Sequence, residues 1–182
     1  MAISQEFAPP FKLIAPYFII GTLVYLLSVS LLFSFNIVGL SHMDSPLLSW
    51  IHILLLGFVM MIIFGAMAQL VPVVLEVGHF AVELYYVIYP LLFIGTLMMA
   101  YGFTYLPPLL PYGGVVVLIS LLIFVFETFM TIMRVKKFNL VMTCVALANG
   151  FLFLGLIFGI IMALGYAGVV SVDITRLLRA HI

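Results

Sequence analysis

The sequence predicts an all-α integral membrane protein, a bundle of about five transmembrane helices, and two observations carry this prediction. Hydrophobic residues make up 67% of the 182 positions and charged residues only 7%, whereas about a quarter of the residues in a soluble domain are charged. The apolar residues also form stretches long enough to cross about 30 Å of hydrocarbon at about 1.5 Å per helical residue. The whole chain, 1–182, is therefore predicted to form a single transmembrane domain.

Prolines mark most of the boundaries of these stretches. Pro16 suits the first turn of the first span, and Pro46 suits the first helical position of the second. Pro72 is expected to perturb or end the second span, and Pro90 to kink the third from inside, because each removes a backbone donor. The predicted spans are 17–38, 46–71, 81–106, 112–133 and 139–167.

The charge pattern and the cysteine count exclude several function classes. Net charge is zero and the six Lys and Arg residues are scattered, so the chain offers no basic face for nucleic acid. Cys144 is the only cysteine, which excludes an intrachain disulfide and any Cys-rich zinc or iron–sulfur site. The expected surroundings are membrane lipid.

Basic residues between the fourth and fifth spans predict the orientation. Arg134, Lys136 and Lys137 cluster there, and positive loops face the cytoplasm. Counting back through the spans places the N-terminus in the cytoplasm and the loop that holds His42 outside. The two arginines after the last span then lie outside, against the rule. The expected location is a bacterial inner membrane, crossed several times.

Two ionisable residues, His52 and Glu127, lie inside predicted spans, where an imidazole or a charge costs several kcal/mol unless it is bound or paired. His52 is expected about 9 Å below the outer end of the second span. It either hydrogen-bonds a neighbouring helix or ligates a cofactor. Glu127, near the inner end of the fourth span, is either protonated, directed toward Arg134, or part of a proton path.

The other histidines lie near the predicted membrane boundaries. His42 and His181 belong to the outer boundary, where they are expected to be solvated unless they fold over the site near His52. His79 belongs to the inner loop, where solvation is expected, although with Glu76 and Glu83 it could in principle bind a metal. An uninterrupted helix would hold His52 and His79 roughly 40 Å apart, so one cofactor cannot bind both. A second imidazole for His52 would come from His42, if its loop folds back, or from His52 of a symmetric homodimer.

A resemblance to a known superfamily points to the cofactor. The segment 52–73 resembles the second helix of short membrane proteins related to subunit I of the haem-copper oxidases and nitric oxide reductases. The resemblance depends on His52 five residues before Gly57, on the Ile-Phe-Gly65 step, and on the Gln-Leu-Val-Pro72-Val ending, and it covers about 25 residues. In that superfamily this histidine ligates a low-spin haem. The resemblance therefore implies a haem b with its iron on His52.

The rest of the chain departs from the superfamily pattern. The complete oxidase subunit has many more helices, and its later ones carry histidines for copper and a second haem. Spans three to five of this chain contain no histidine pair, and Trp50 occupies a position where the short proteins often have a second histidine. A complete oxidase or reductase is not expected, and no residue is assigned a catalytic role.

The sequence thus predicts a membrane haem protein that transfers electrons or binds oxygen or nitric oxide. His52 would ligate the iron and His42 is the possible second ligand. Gly57 would leave room for the macrocycle and Met60 and Phe64 would form its walls, although ordinary helix packing explains the same residue types. If both axial positions are filled, electron relay is favoured; if one is open, a gas can bind.

A second interpretation belongs to a different class. The chain would be a cofactor-free assembly or accessory subunit of a respiratory complex, with His52 as a helix contact. Under the haem interpretation, the expected partners are a second copy of the chain and a respiratory electron donor or acceptor. Gly155 and Gly159, four residues apart in the fifth span, predict a helix contact, either within the chain or between copies.

Overall fold

The computed structural model describes residues 7–34, 44–136, 139–166 and 169–181. It confirms the predicted fold class: an all-α bundle with five helices that are long and apolar enough to cross a membrane, and no strand within these described ranges. The five long helices are α1 (Phe11–Leu32), α2 (Ser45–Leu75), α3 (Tyr85–Thr104), α4 (Leu110–Ile132) and α5 (Leu140–Tyr166). A short helix, α6 (Ile174–His181), follows.

Helix α1 begins at Phe11, six residues before its predicted start. Its first turns are buried, since Leu13, Ile14 and Tyr17 lie in the core. Pro16 is therefore inside the helix and not in its first turn. The helix accommodates it because Pro16 removes only a bond to a carbonyl in the first turn.

Helix α2 is continuous from Ser45 to Leu75, and its centre, Ile53–Met60, is π-helical. It passes through Pro72, where the sequence predicted its end. The helix ends at Leu75, and the next residue, Glu76, has a left-handed backbone with φ of 52°. This residue reverses the chain, so the following loop can return along α2.

Glycines set the closest contacts between helices. A Cβ at Gly57 would lie 2.7 Å from Val24 Cγ1 of α1, and one at Gly95 would lie 2.7 Å from the backbone nitrogen of Val117. A Cβ at Gly113 would lie 2.6 Å from the backbone nitrogen of Met99. Helices α3 and α4 therefore touch backbone to backbone, as small residues permit in membrane bundles.

Helix α5 is peripheral and contacts the bundle mainly through its first half, where Met142 and Val145 meet Val71 and Ile132. Helix α6 then folds back along α5. A Cβ at Gly159 would lie 3.1 Å from His181 Cε1. The contact predicted for this part of the fifth span is therefore made, at Gly159, within the chain.

Candidate functional site

His52 ends the first, α-helical part of α2 and directly precedes its π-helical segment. Its Nδ1 lies 2.7 Å from the carbonyl oxygen of Leu48. A carbonyl oxygen only accepts, so Nδ1 carries the hydrogen. The imidazole Nε2 has no hydrogen-bond partner among the described residues. In the neutral ring, Nε2 therefore presents an unused lone pair, as in a metal-ligating histidine.

Contacts with neighbouring helices fix the imidazole ring of His52 and the helical turn that carries it. The ring of Phe103 from α3 lies 4.8 Å from the His52 ring, tilted by 39°. Ser49 Oγ donates to the carbonyl of Ala100 at 2.9 Å, and Trp50 Nε1 donates to the carbonyl of Ser28 at 2.8 Å. These bonds tie the turn that carries His52 to both α1 and α3. Short π-helical segments such as the one that follows are frequent at functional sites.

The three residues predicted to line a haem slot, Gly57, Met60 and Phe64, have different surroundings in the structure. Gly57 faces α1, and Phe64 is fully buried and stacks on Phe124 of α4 with 3.7 Å between ring centroids. Met60 is partly buried against the core. Gly57 and Phe64 thus contact neighbouring helices of the same chain, because α2 runs between α1 and α4 at these positions. Ordinary helix packing accounts for both.

The second predicted ligand, His42, lies outside the described residues, and its role stays a prediction. His181 is described, and α6 brings it back beside α5. Its Nδ1 lies 3.0 Å from the carbonyl oxygen of Gly155. The sequence assigned His181 to the outer boundary; the structure places it deeper, because α6 is antiparallel to α5.

A second polar cluster lies at the opposite end of α2. The loop after Glu76 returns along the helix and places His79 Nε2 2.7 Å from the carbonyl oxygen of Ala68. That carbonyl has no helical donor, because the residue four positions later is Pro72. The freed acceptor thus fixes His79 beside α2, roughly 24 Å along the helix from His52 and not 40 Å away.

Glu127 is fully buried at the centre of this cluster. Its Oε1 accepts from His79 Nδ1 at 3.0 Å, Thr131 Oγ1 at 2.8 Å and the Phe80 amide at 3.2 Å, and its Oε2 accepts from Tyr85 OH at 3.0 Å. With Nε2 bound to a carbonyl, the His79–Glu127 pair shares one proton. Four donors thus surround the buried carboxyl group, three of them on Oε1.

This arrangement corrects two expectations. The side chain of His79 is only 5% exposed and not solvated, and Glu127 pairs with His79 and not with Arg134. Arg134 instead donates to the carbonyl of His79 at 2.8 Å and lies over the Phe80 ring, 4.9 Å from its centroid. Both ring nitrogens of His79 are occupied, so this histidine has no lone pair for a metal. The described part of the chain contains no group of three or more His, Cys, Asp or Glu able to hold one.

No family model, curated protein or solved structure matches this chain. The superfamily resemblance of segment 52–73 therefore remains a prediction. Two polar sites are present, one at each end of α2. His52 and His181 each keep one ring nitrogen without a partner in the described structure, whereas His79 uses both.

Proposed function

We propose that this chain is a multi-pass membrane protein that binds a b-type haem through His52 and transfers electrons. The observation that carries the proposal is the hydrogen bonding of the two nitrogens of the His52 ring. Its Nδ1 hydrogen is held by the Leu48 carbonyl, and its Nε2 has no partner in the described structure. An imidazole within an apolar span costs free energy unless both nitrogens are satisfied. An iron on Nε2 would satisfy the second.

The donor chemistry at His52 fits haem iron. Iron in haem proteins takes a neutral imidazole nitrogen as axial ligand. The bond from Nδ1 to Leu48 fixes the tautomer and makes Nε2 more basic, which strengthens a metal bond. Phe103 lies against the ring and restricts its rotation about the side-chain bonds. When bound, the haem would supply a reversible one-electron change at its iron.

The remaining parts of the proposal concern location and partners. The loop after α4 carries Arg134 and Lys136, and this supports a cytoplasmic placement of that loop in a bacterial inner membrane. The N-terminus would then be cytoplasmic, and His52 would lie toward the outer face. A respiratory protein at that face would be the electron donor or acceptor. A second copy of the chain is one source of the other iron ligand.

The test is the haem content of His52→Ala, purified in detergent from haem-replete cells. The protein with His52 should contain b-type haem by its pyridine haemochrome, and His52→Ala should contain none, because a methyl group cannot ligate iron. Glu127→Gln serves as the control, since Glu127 lies in the cluster at the other end of α2 and should not affect haem retention. Unchanged haem in a folded His52→Ala protein would contradict the assignment. A haem-free protein with His52 intact would favour the cofactor-free accessory subunit.

A further inference from the structure

A cleft opens between α1, α2 and α3 at the face of the bundle where α1 and α3 end and α2 begins. Its volume is about 610 Å³, and sites for small molecules typically have volumes of about 300 to 1,000 Å³. None of the described residues that line the cleft has a charged side chain. A molecule held there is therefore bound by apolar contacts and neutral hydrogen bonds and not by an ion pair with these residues.

Small side chains form the floor of the cleft. Ser49 of α2 and Ala100 of α3 are buried there, and Ser49 Oγ donates to the carbonyl oxygen of Ala100 at 2.9 Å. Trp50 forms part of a wall, and its Nε1 donates to the carbonyl oxygen of Ser28 at 2.8 Å. These hydrogen bonds hold the three helices in place around the cleft, so its shape does not depend on a bound molecule.

The polarity of the lining changes with depth in the membrane. Ile53 of α2 lies about 10 Å farther from the membrane face than Pro46, and Leu97 of α3 lies about 12 Å farther than Tyr105. The deep end of the cleft is thus apolar, whereas the end at the membrane face carries hydroxyl groups, among them that of Thr104. This gradient suits an amphipathic molecule whose apolar part points toward the centre of the membrane.

Three hydroxyl groups of the lining have no protein partner. The phenol oxygens of Tyr101 and Tyr105 and the hydroxyl of Ser34 make no hydrogen bond within the described part of the chain. The two tyrosine rings lie 5.2 Å apart between centroids and are tilted by 35°. Each hydroxyl can donate one hydrogen bond. Tyrosine side chains at such a boundary lie level with the lipid headgroups, next to the hydrocarbon, where the ester carbonyls of phospholipids offer acceptors.

We infer that this cleft binds one membrane phospholipid. An acyl chain lies along Ile53 and Leu97, and a glycerol ester carbonyl accepts a hydrogen bond from Tyr101 or Tyr105. Leu97 and Tyr101 are 39% and 52% exposed, so a lipid reaches the cleft sideways from the bilayer. The headgroup stays outside the cleft, because no charged residue of the lining selects it. This site does not involve the iron of the proposed function, and the two are tested separately.

The experiment measures by native mass spectrometry how many phospholipids the detergent-solubilised protein retains when palmitoyl-oleoyl phosphatidylcholine is added. One molecule per chain should remain at collision energies that remove all others. Leu97→Trp fills the apolar end of the cleft and should abolish this retention. The matched control is Ile94→Trp, which places the same side chain one turn earlier on α3, at an exposed position outside the cleft, and should retain the lipid.

A second pair of measurements tests the hydrogen bonds. The double variant Tyr101→Phe, Tyr105→Phe keeps both rings and should bind the phospholipid about tenfold more weakly, as expected for the loss of two neutral hydrogen bonds. The ether-linked analogue of the same lipid has no ester carbonyls, so it should bind the unsubstituted protein about tenfold more weakly and be indifferent to the double variant. Tyr112→Phe, an exposed tyrosine at the same face but outside the cleft, is the control.

The outcomes distinguish this site from the lipid shell that surrounds any membrane protein. Equal retention in Leu97→Trp and Ile94→Trp would show such a shell only and would overturn the inference. Equal binding of the ester and ether lipids would also contradict it, and this comparison decides the matter if Leu97→Trp does not fold. A different bound molecule, such as a quinone, that is lost in Leu97→Trp would replace the phospholipid as the occupant. The presence or absence of haem bears on the proposed function alone.

Discussion

At the scale of single residues, the His79–Glu127 pair shows what the sequence could and could not predict. The depth of Glu127 inside a span indicated that it needs a partner. The partner itself could not be identified, because it depends on a backbone reversal at Glu76 and on the carbonyl that Pro72 leaves free. Neither feature has a periodic signal in the sequence. The histidine was therefore expected in water, and in the structure it is buried against α2.

Removal of His79 should destabilise the protein strongly. His79→Ala leaves the fully buried carboxyl group of Glu127 without its imidazole partner, and breaking a buried pair in this way typically costs about 3 to 5 kcal/mol. The free energy of unfolding in detergent micelles measures the effect. The double variant His79→Ala, Glu127→Ala should lose less than the sum of the two single variants, because neither side chain of the pair is then left without its partner. Additive losses would show that the two side chains do not interact.

At the scale of helices, the hydropathy of the sequence was sufficient to predict five spans. It did not predict where each helix begins and ends or the backbone geometry within it. The first span begins earlier than predicted because its initial turns are buried, and the second passes through Pro72 because His79 takes over the freed carbonyl. The sequence did not predict the π-helical part of α2, which packs against α1 and α3. The return of α6 was also missed. Gly159 and Gly165 were the available sequence signal for this return, since their missing side chains leave room for α6 and the turn before it.

The contact between α3 and α4 gives a prediction at this scale. Gly113→Ala would bring a Cβ within 2.6 Å of the Met99 backbone nitrogen, so the helices must separate, at a cost of about 1 to 3 kcal/mol. Gly114→Ala, one residue later, meets nothing within 4 Å and is the matched control. The control should equal or exceed the stability of the unsubstituted protein, because alanine favours the helix. Thermal unfolding in detergent compares the two, and equal melting temperatures would contradict this close approach.

At the scale of the whole molecule, the bundle separates two kinds of polar site. The cluster around Glu127 lies near the end of the bundle where α2 terminates, and its hydrogen bonds are all made within the chain. The region of His52 and His181 lies toward the opposite face, and each of these rings keeps one nitrogen without a partner in the described structure. A satisfied cluster stabilises a fold, whereas a ring nitrogen without a protein partner remains available to a ligand. The distinction assigns stability to the first site and the proposed haem to the second.

The measurement that tests this account most directly is the absorption spectrum of the detergent-purified protein, recorded oxidised and then reduced with dithionite. The account predicts a red protein with a Soret band that shifts on reduction and a b-type α band, as expected for a haem iron held by His52. A colourless protein from haem-replete cells, without a Soret band in either state, would contradict it.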